Sequence, residues 1–138
     1  VTIIGGGQTG CELALNLAQH DHQVTVVESR PKVLQGTQIP MMNAAALQFL
    51  MAQNHVKILT NSQVVSYQDG EVNIKRNDGK VEQISADSVV PAVGMVSRPS
   101  LVKELAGTGI TTYEVGDGFQ VGDVHTTVRS AHEIAKRI

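Results

Sequence analysis

The sequence predicts an α/β fold: a three-layer domain with a parallel sheet, crossed over by an antiparallel three-stranded β-meander. Three observations predict it. Short β-branched runs alternate with helical segments over residues 1–59, in the order βαβαβ. Turn signals at Asp69-Gly70 and Asn77-Asp78-Gly79 then divide residues 63–85 into three short strands. The length of 138 residues is about that of one ordinary domain, and it can bury a core without disulfides or metals.

Val1 to Ile4 is an apolar run that ends at glycines and reads as a buried parallel strand. Cys11 to His20 carries apolar residues at 13, 14, 17 and 18, a helical spacing. Val24 to Val27 is a second buried strand, and it ends at Glu28. Pro40 precedes a helix over Met41 to Gln53, with apolar positions 41, 44, 45, 47 and 51; proline suits a first turn. The four methionines, Met41 and Met51 above all, are expected as core filler. Val56 to Leu59 is the third strand. The meander follows as Gln63–Tyr67, Glu71–Arg76 and Val81–Ser85. Asp87 to Val93 is a further apolar strand, and Pro91 within it is unusual for a central strand. Ser100 to Leu105 reads as a short helix, Thr111 to Val115 as a last strand and Val124 to Ile138 as a terminal helix.

Composition excludes several classes. The net charge is −2 and aromatics make up 3% of residues, so neither a basic patch nor a stacking platform points to nucleic acid. No apolar run approaches the roughly 20 residues that span a bilayer. A lone cysteine, Cys11, allows no internal disulfide and no CxxC pair, and it is expected as a small buried helix residue. His20-x-His22 has no cysteine or carboxylate cluster to complete a zinc set, and His125 and His132 read as surface positions of the last helix. Tyr67 is followed four residues on by Glu71, and Tyr113 by Asp117. The Tyr-x-x-x-Lys pair of a self-contained carbonyl reductase is therefore missing. The sequence opens on a strand, with no initiator Met and no signal-peptide pattern; the expectation is a segment of a larger, cytoplasmic protein.

Gly5-x-Gly7-x-x-Gly10 lies between the first strand and the first helix, where each glycine has a role. Gly5 permits the tight turn, Gly7 lets a pyrophosphate approach the backbone, and Gly10 lets the helix pack close to the sheet. Free N–H groups and the helix dipole favour the phosphate charge, which brings Gln8 and Thr9 into the candidate site. This is the fingerprint of a Rossmann-like dinucleotide-binding domain. Glu28, 23 positions after Gly5, is placed to accept from both adenosine ribose hydroxyls and to repel a 2′-phosphate. That favours NAD(H) over NADP(H). Its neighbours Ser29 and Arg30 join the candidate set, although Arg30 is also placed to pair with a 2′-phosphate. Glu12, in the first helical turn, either complements the helix dipole or contacts the nicotinamide ribose or carboxamide.

Val1-Thr-Ile-Ile-Gly-Gly-Gly-Gln-Thr-Gly-Cys-Glu12 followed by Val24-Thr-Val-Val-Glu28 resembles the NAD(P)H domain of the pyridine nucleotide-disulfide oxidoreductase superfamily. Ala92-Val93-Gly94 matches the family's Ala-x-Gly strand end, and Arg98-Pro99 an Arg-Pro that follows it. The resemblance implies that Gly94 and Met95 line the nicotinamide half of the site. Val115-Gly116-Asp117 resembles the second flavin motif, in which a strand ends in Gly-Asp and the aspartate bonds the FAD ribityl chain. Thr127 to Ala131 resembles the flavin-side helix. Gly118 and Val121 depart from the family's usual small or Cys residue and its loop proline. The subgroup most similar is that of the NADH:flavin oxidoreductases of the 2-enoate and 2,4-dienoyl-CoA reductase type. In these an FMN and iron–sulfur barrel precedes the FAD and NAD(P)H modules.

The resemblance implies a division into an NAD(H)-binding domain over residues 1–110 and a C-terminal piece of the FAD-binding domain over 111–138. The first FAD-binding half is not in this sequence, so the chain alone is expected not to retain flavin or to be catalytically competent. Its partners are NADH and the remainder of the parent polypeptide, with no nucleic acid or membrane. In the leading reading the parent takes hydride from NADH onto FAD. The alternative is an NAD-sensing regulatory module without a redox step; such a module needs neither the meander nor the Gly-Asp motif.

Overall fold

The computed structural model describes residues 1–98 and 101–138. They fall into two compact units, Val1–Gly94 and Met95–Ile138.

The first unit has three layers. Its central sheet is parallel, with strands β1 (Thr2–Ile4), β2 (Thr25–Val27), β3 (Lys57–Leu59) and β7 (Val89–Pro91) in the order β3-β2-β1-β7. Ile3 pairs with Val26 and with Val90, and Val26 with Ile58, so these residues share one sheet face. Helices α1 (Gln8–Ala18) and α2 (Met41–Gln53) cover that face. Ile3, Val26, Cys11, Ala14, Leu47 and Met51 form the core there. Alternation sends Val27, Leu59 and Val89 to the opposite face. They pack against Val72, Ile74 and Ile84 of the antiparallel meander, β4 (Ser62–Gln68), β5 (Glu71–Arg76) and β6 (Val81–Ser85). Asp69 and Gly70 both take positive φ at the β4–β5 turn, as the tight hairpin requires. The register of β4 on β5 shifts between Val64 and Ser66. The parallel sheet with helices and the three-stranded antiparallel sheet are those expected from the sequence.

Pro91 is in the sheet, and its position explains why. Among the described residues β7 is an edge strand. The Ala92 N–H donates inward to the Ile4 carbonyl at 2.7 Å. The preceding nitrogen, that of Pro91, therefore sits on the outward side of the ladder, where a missing donor breaks no bond.

Two expectations need correction. Met41, Met42 and Met95 are not core: they are 81%, 74% and 68% exposed, and α2 turns Leu47 and Met51 inward instead. Helix 41–53 is apolar on most sides, so periodicity alone could not say which side faces the sheet. Thr111–Val115 is not a strand; these residues have no regular structure, and no described strand pairs with them. A strand is held by its ladder, and without a neighbour its extended propensity has nothing to bond.

In the second unit α3 spans Leu101–Leu105, Gly116–Gly118 forms one 3₁₀ turn, and α4 spans Val124–Ala135. The start expected for α3, Ser100, lies outside the described residues, as does Pro99. Helix α4 opens on a capping box. The Asp123 carboxylate accepts the Thr126 N–H at 2.7 Å, and the Thr126 hydroxyl oxygen accepts the Asp123 N–H at 2.9 Å. None of this unit's described residues is buried. No described helix is long and apolar enough to cross a membrane.

Candidate functional site

The loop from β1 into α1 is shaped by close approach. Gly5 has φ +106°, and a Cβ there would run into the Ala92 carbonyl. A Cβ at Gly10 would run into the Gly5 carbonyl oxygen, with Ala92 Cβ 3.4 Å away. Helix, loop and the end of β7 thus touch through backbone, and only glycine lets them. Gly7 is different: nothing lies within 4 Å of a Cβ placed on it. The loop opens to free space there.

Helix α1 begins at Gln8 with Gly7 as its N-cap and no side-chain cap. The N–H groups of its first turn are left for an outside acceptor, and the helix dipole adds positive potential. Gln8 and Thr9 are exposed at this end. The Gln8 side-chain amide donates to the Glu12 carboxylate at 2.9 Å, so Glu12 is tied along the outer helix face. Uncapped N–H groups, open space at Gly7 and backbone packed close behind it fit a diphosphate.

Glu28 follows β2 and is buried, at 8% exposure. Its backbone is held by the end of β3 and the start of β4: Glu28 N–H donates to the Leu59 carbonyl and Ser62 N–H to the Glu28 carbonyl. Its carboxylate accepts the Gly6 N–H at 2.6 Å on Oε2, and the Arg30 N–H at 2.8 Å and the Ser29 hydroxyl at 3.2 Å on Oε1. The Arg30 guanidinium is turned away onto the Gln35 carbonyl. Cys11 is fully buried beneath the loop, and its thiol donates to the Gly6 carbonyl at 3.4 Å. Burial pushes the thiol up to about 11, with the charges of Glu28 and Glu12 adding to the effect.

The fold therefore brings together Gly5, Gly7, Gln8, Thr9, Gly10, Glu28, Ser29 and Arg30 around one loop. Gly94 and Met95 are exposed beyond β7, and Gly94 takes φ +89°. In the second unit Asp117 accepts the Gly122 N–H at 3.1 Å, closing its own loop. Gly116, at φ +67°, starts that turn. Met95 and Asp117 line one shallow cavity of about 450 Å³, together with Val96, Arg98, Gly118 and Val121.

Sequence reasoning missed Val33 and Leu34. Both are buried, and the Leu34 N–H donates to the Gly6 carbonyl at 2.7 Å. Leu34 holds φ +60°, a conformation that no pattern in residues 29–40 announces.

The model of the family described as "Pyridine nucleotide-disulphide oxidoreductase" matches residues 1–132. The chain belongs to that family. Among relatives of this pyridine nucleotide-disulphide oxidoreductase chain is a cinnamate reductase from Clostridium sporogenes, 34% identical over all of this chain and 21% of that protein. An NADH oxidase from Thermoanaerobacter brockii is 32% identical over all of this chain and 21% of its own length. A solved 2-naphthoyl-CoA reductase complexed with 2-naphthoyl-CoA superposes with TM-score 0.80 at 28% identity, covering 99% of this chain and 21% of that one. The chain thus spans about a fifth of each. The likenesses agree with the enoate-reductase-like group, and they lend no support to a sensor without redox activity.

Proposed function

We propose that this chain is the NAD(H)-binding part of a cytoplasmic flavin-dependent oxidoreductase and positions NADH for hydride delivery to FAD. Residues 1–110 are assigned to the NAD(H) domain and 111–138 to a C-terminal segment of the FAD domain. The remainder of the parent, including its barrel, completes the enzyme and selects the final acceptor. The observation that carries the reading is the uncapped N-terminus of α1 behind a loop that is open at Gly7 and anchored by Glu28.

When bound, NADH supplies the hydride and FAD accepts it. The chain's residues do the positioning. Gly7, Gln8, Thr9 and Gly10 offer N–H groups to the pyrophosphate, and Glu28 meets the adenosine ribose. The Arg30 guanidinium donates to the Gln35 carbonyl, which competes with any pairing to a 2′-phosphate beside Glu28. That supports NADH over NADPH. Gly94 and Met95 are assigned to the nicotinamide end, and Gly116 and Asp117 to the flavin. Glu12, engaged by Gln8, has the weaker claim on the nicotinamide. Hydride transfer needs no proton donor, so no acid or base of this chain is required for it.

The test is flavin bleaching in the whole parent protein under anaerobic conditions. NADH is expected to bleach the flavin and NADPH to do so at least tenfold less efficiently. Binding of NADH without bleaching, or a preference for NADPH, would overturn the reading.

A further inference from the structure

We propose that Glu28 is a positioning residue for the pyrophosphate loop as well as a ribose acceptor; this rests on the NADH reading above. The carboxylate receives three donors from this chain before any ligand arrives: Gly6 N–H, Arg30 N–H and the Ser29 hydroxyl. An ionised carboxylate has about four acceptor positions, so one is left for a ribose hydroxyl.

The bond to Gly6 is the consequential one. It is short, at 2.6 Å, and buried. The Gly6 carbonyl is held from the other side by Leu34 N–H at 2.7 Å and the Cys11 thiol at 3.4 Å. Gly6 is thereby fixed through both of its flanking peptide groups, the first at its N–H and the second at its carbonyl. The direction of the chain into Gly7 and the first turn of α1 follows from it. Glu28 can impose this because its own backbone is pinned at its N–H to Leu59, the end of β3, and at its carbonyl to Ser62, the start of β4. The ribose end and the phosphate end of the site are therefore one hydrogen-bonded unit. A glutamine cannot replace the acid: whichever way its amide turns, an N–H group faces a donor that the carboxylate accepted.

The experiment compares the wild-type chain with E28Q, using NADH and its 2′,3′-dideoxyadenosine counterpart, which lacks the hydroxyls Glu28 would read. The amide proton of Gly6 is followed by NMR without ligand, and thermal unfolding serves as a control. The expectation is that E28Q weakens both ligands about tenfold or more. The Gly6 amide proton should be downfield and protected from exchange in the wild type, and move upfield in E28Q. If E28Q weakens NADH but leaves the dideoxy counterpart unchanged, Glu28 serves the ribose alone and the proposal falls. If E28Q does not fold, the wild-type amide decides: a random-coil shift with fast exchange overturns the clamp. If the wild-type chain binds neither ligand, the NADH reading fails, and the Gly6 amide still decides the clamp by itself.

Discussion

Replacing Gly7 by alanine separates the folding of the glycine loop from its use. Gly7 has φ −72° and ψ −175°, which alanine adopts freely. A methyl there meets no atom within 4 Å. Alanine is a poorer N-cap than glycine, at a cost of up to about 1 kcal/mol, and stiffening of the unfolded chain returns about 0.4–1 kcal/mol. The melting temperature should therefore move by no more than a few degrees. Binding should behave differently, because the methyl enters the open space assigned to the pyrophosphate. Loss of one charge-assisted hydrogen bond there costs about 1.5–3 kcal/mol, or about 10- to 100-fold in affinity. Titration of NADH against G7A and wild type, followed by NADH fluorescence, measures it. Unchanged affinity in a G7A protein of unchanged melting temperature would refute the placement of the pyrophosphate.

Gly10→Ala should instead lose stability and binding together. Its methyl strikes the Gly5 backbone, and an overpacking cost of about 1–3 kcal/mol outweighs a helix-propensity gain of about 1 kcal/mol; denaturant unfolding checks this. Cys11 should resist alkylation in the native chain at pH 8 and react fast once unfolded. Because folding raises its pKa from 9.0 to about 11, stability should be intact below pH 9 and fall as the pH rises toward 11, a loss that Cys11→Ala removes. Hydrogen bonds from Thr126 hold the Asp123 carboxyl below its usual 3.8. The cap should therefore hold above that pH and weaken below it; D123A should fray the first turn of α4 at neutral pH, read from NMR shifts of residues 124–126, while D123N retains most of the turn.

What could be read from the sequence depended on whether local chemistry and tertiary packing agree. The bounds of α2, β5 and β6 were legible because Pro40 and the Asp-Gly turns punctuate them regardless of context. The glycine loop was legible because steric demands admit few residues. The buried side of α2 was not, since Met41, Met42 and Phe49 are as apolar as Met51 and yet exposed. Nor was the grip on Gly6: Leu34 at φ +60° and the Cys11 thiol act through contacts that the chain makes only when folded. Thr111–Val115 shows the opposite failure, extended propensity with no described strand to satisfy it.

Pro91 carries a consequence for the molecule in a crowded solution. A flat, apolar strand at the rim of a sheet is an invitation to growth, since each molecule that docks presents a fresh rim to the next. With its nitrogen on the outer side of β7, Pro91 removes one link from that would-be seam without weakening the pairing to β1. The nitrogen of Pro91, with no hydrogen to give, is expected to oppose edge-to-edge pairing along this rim.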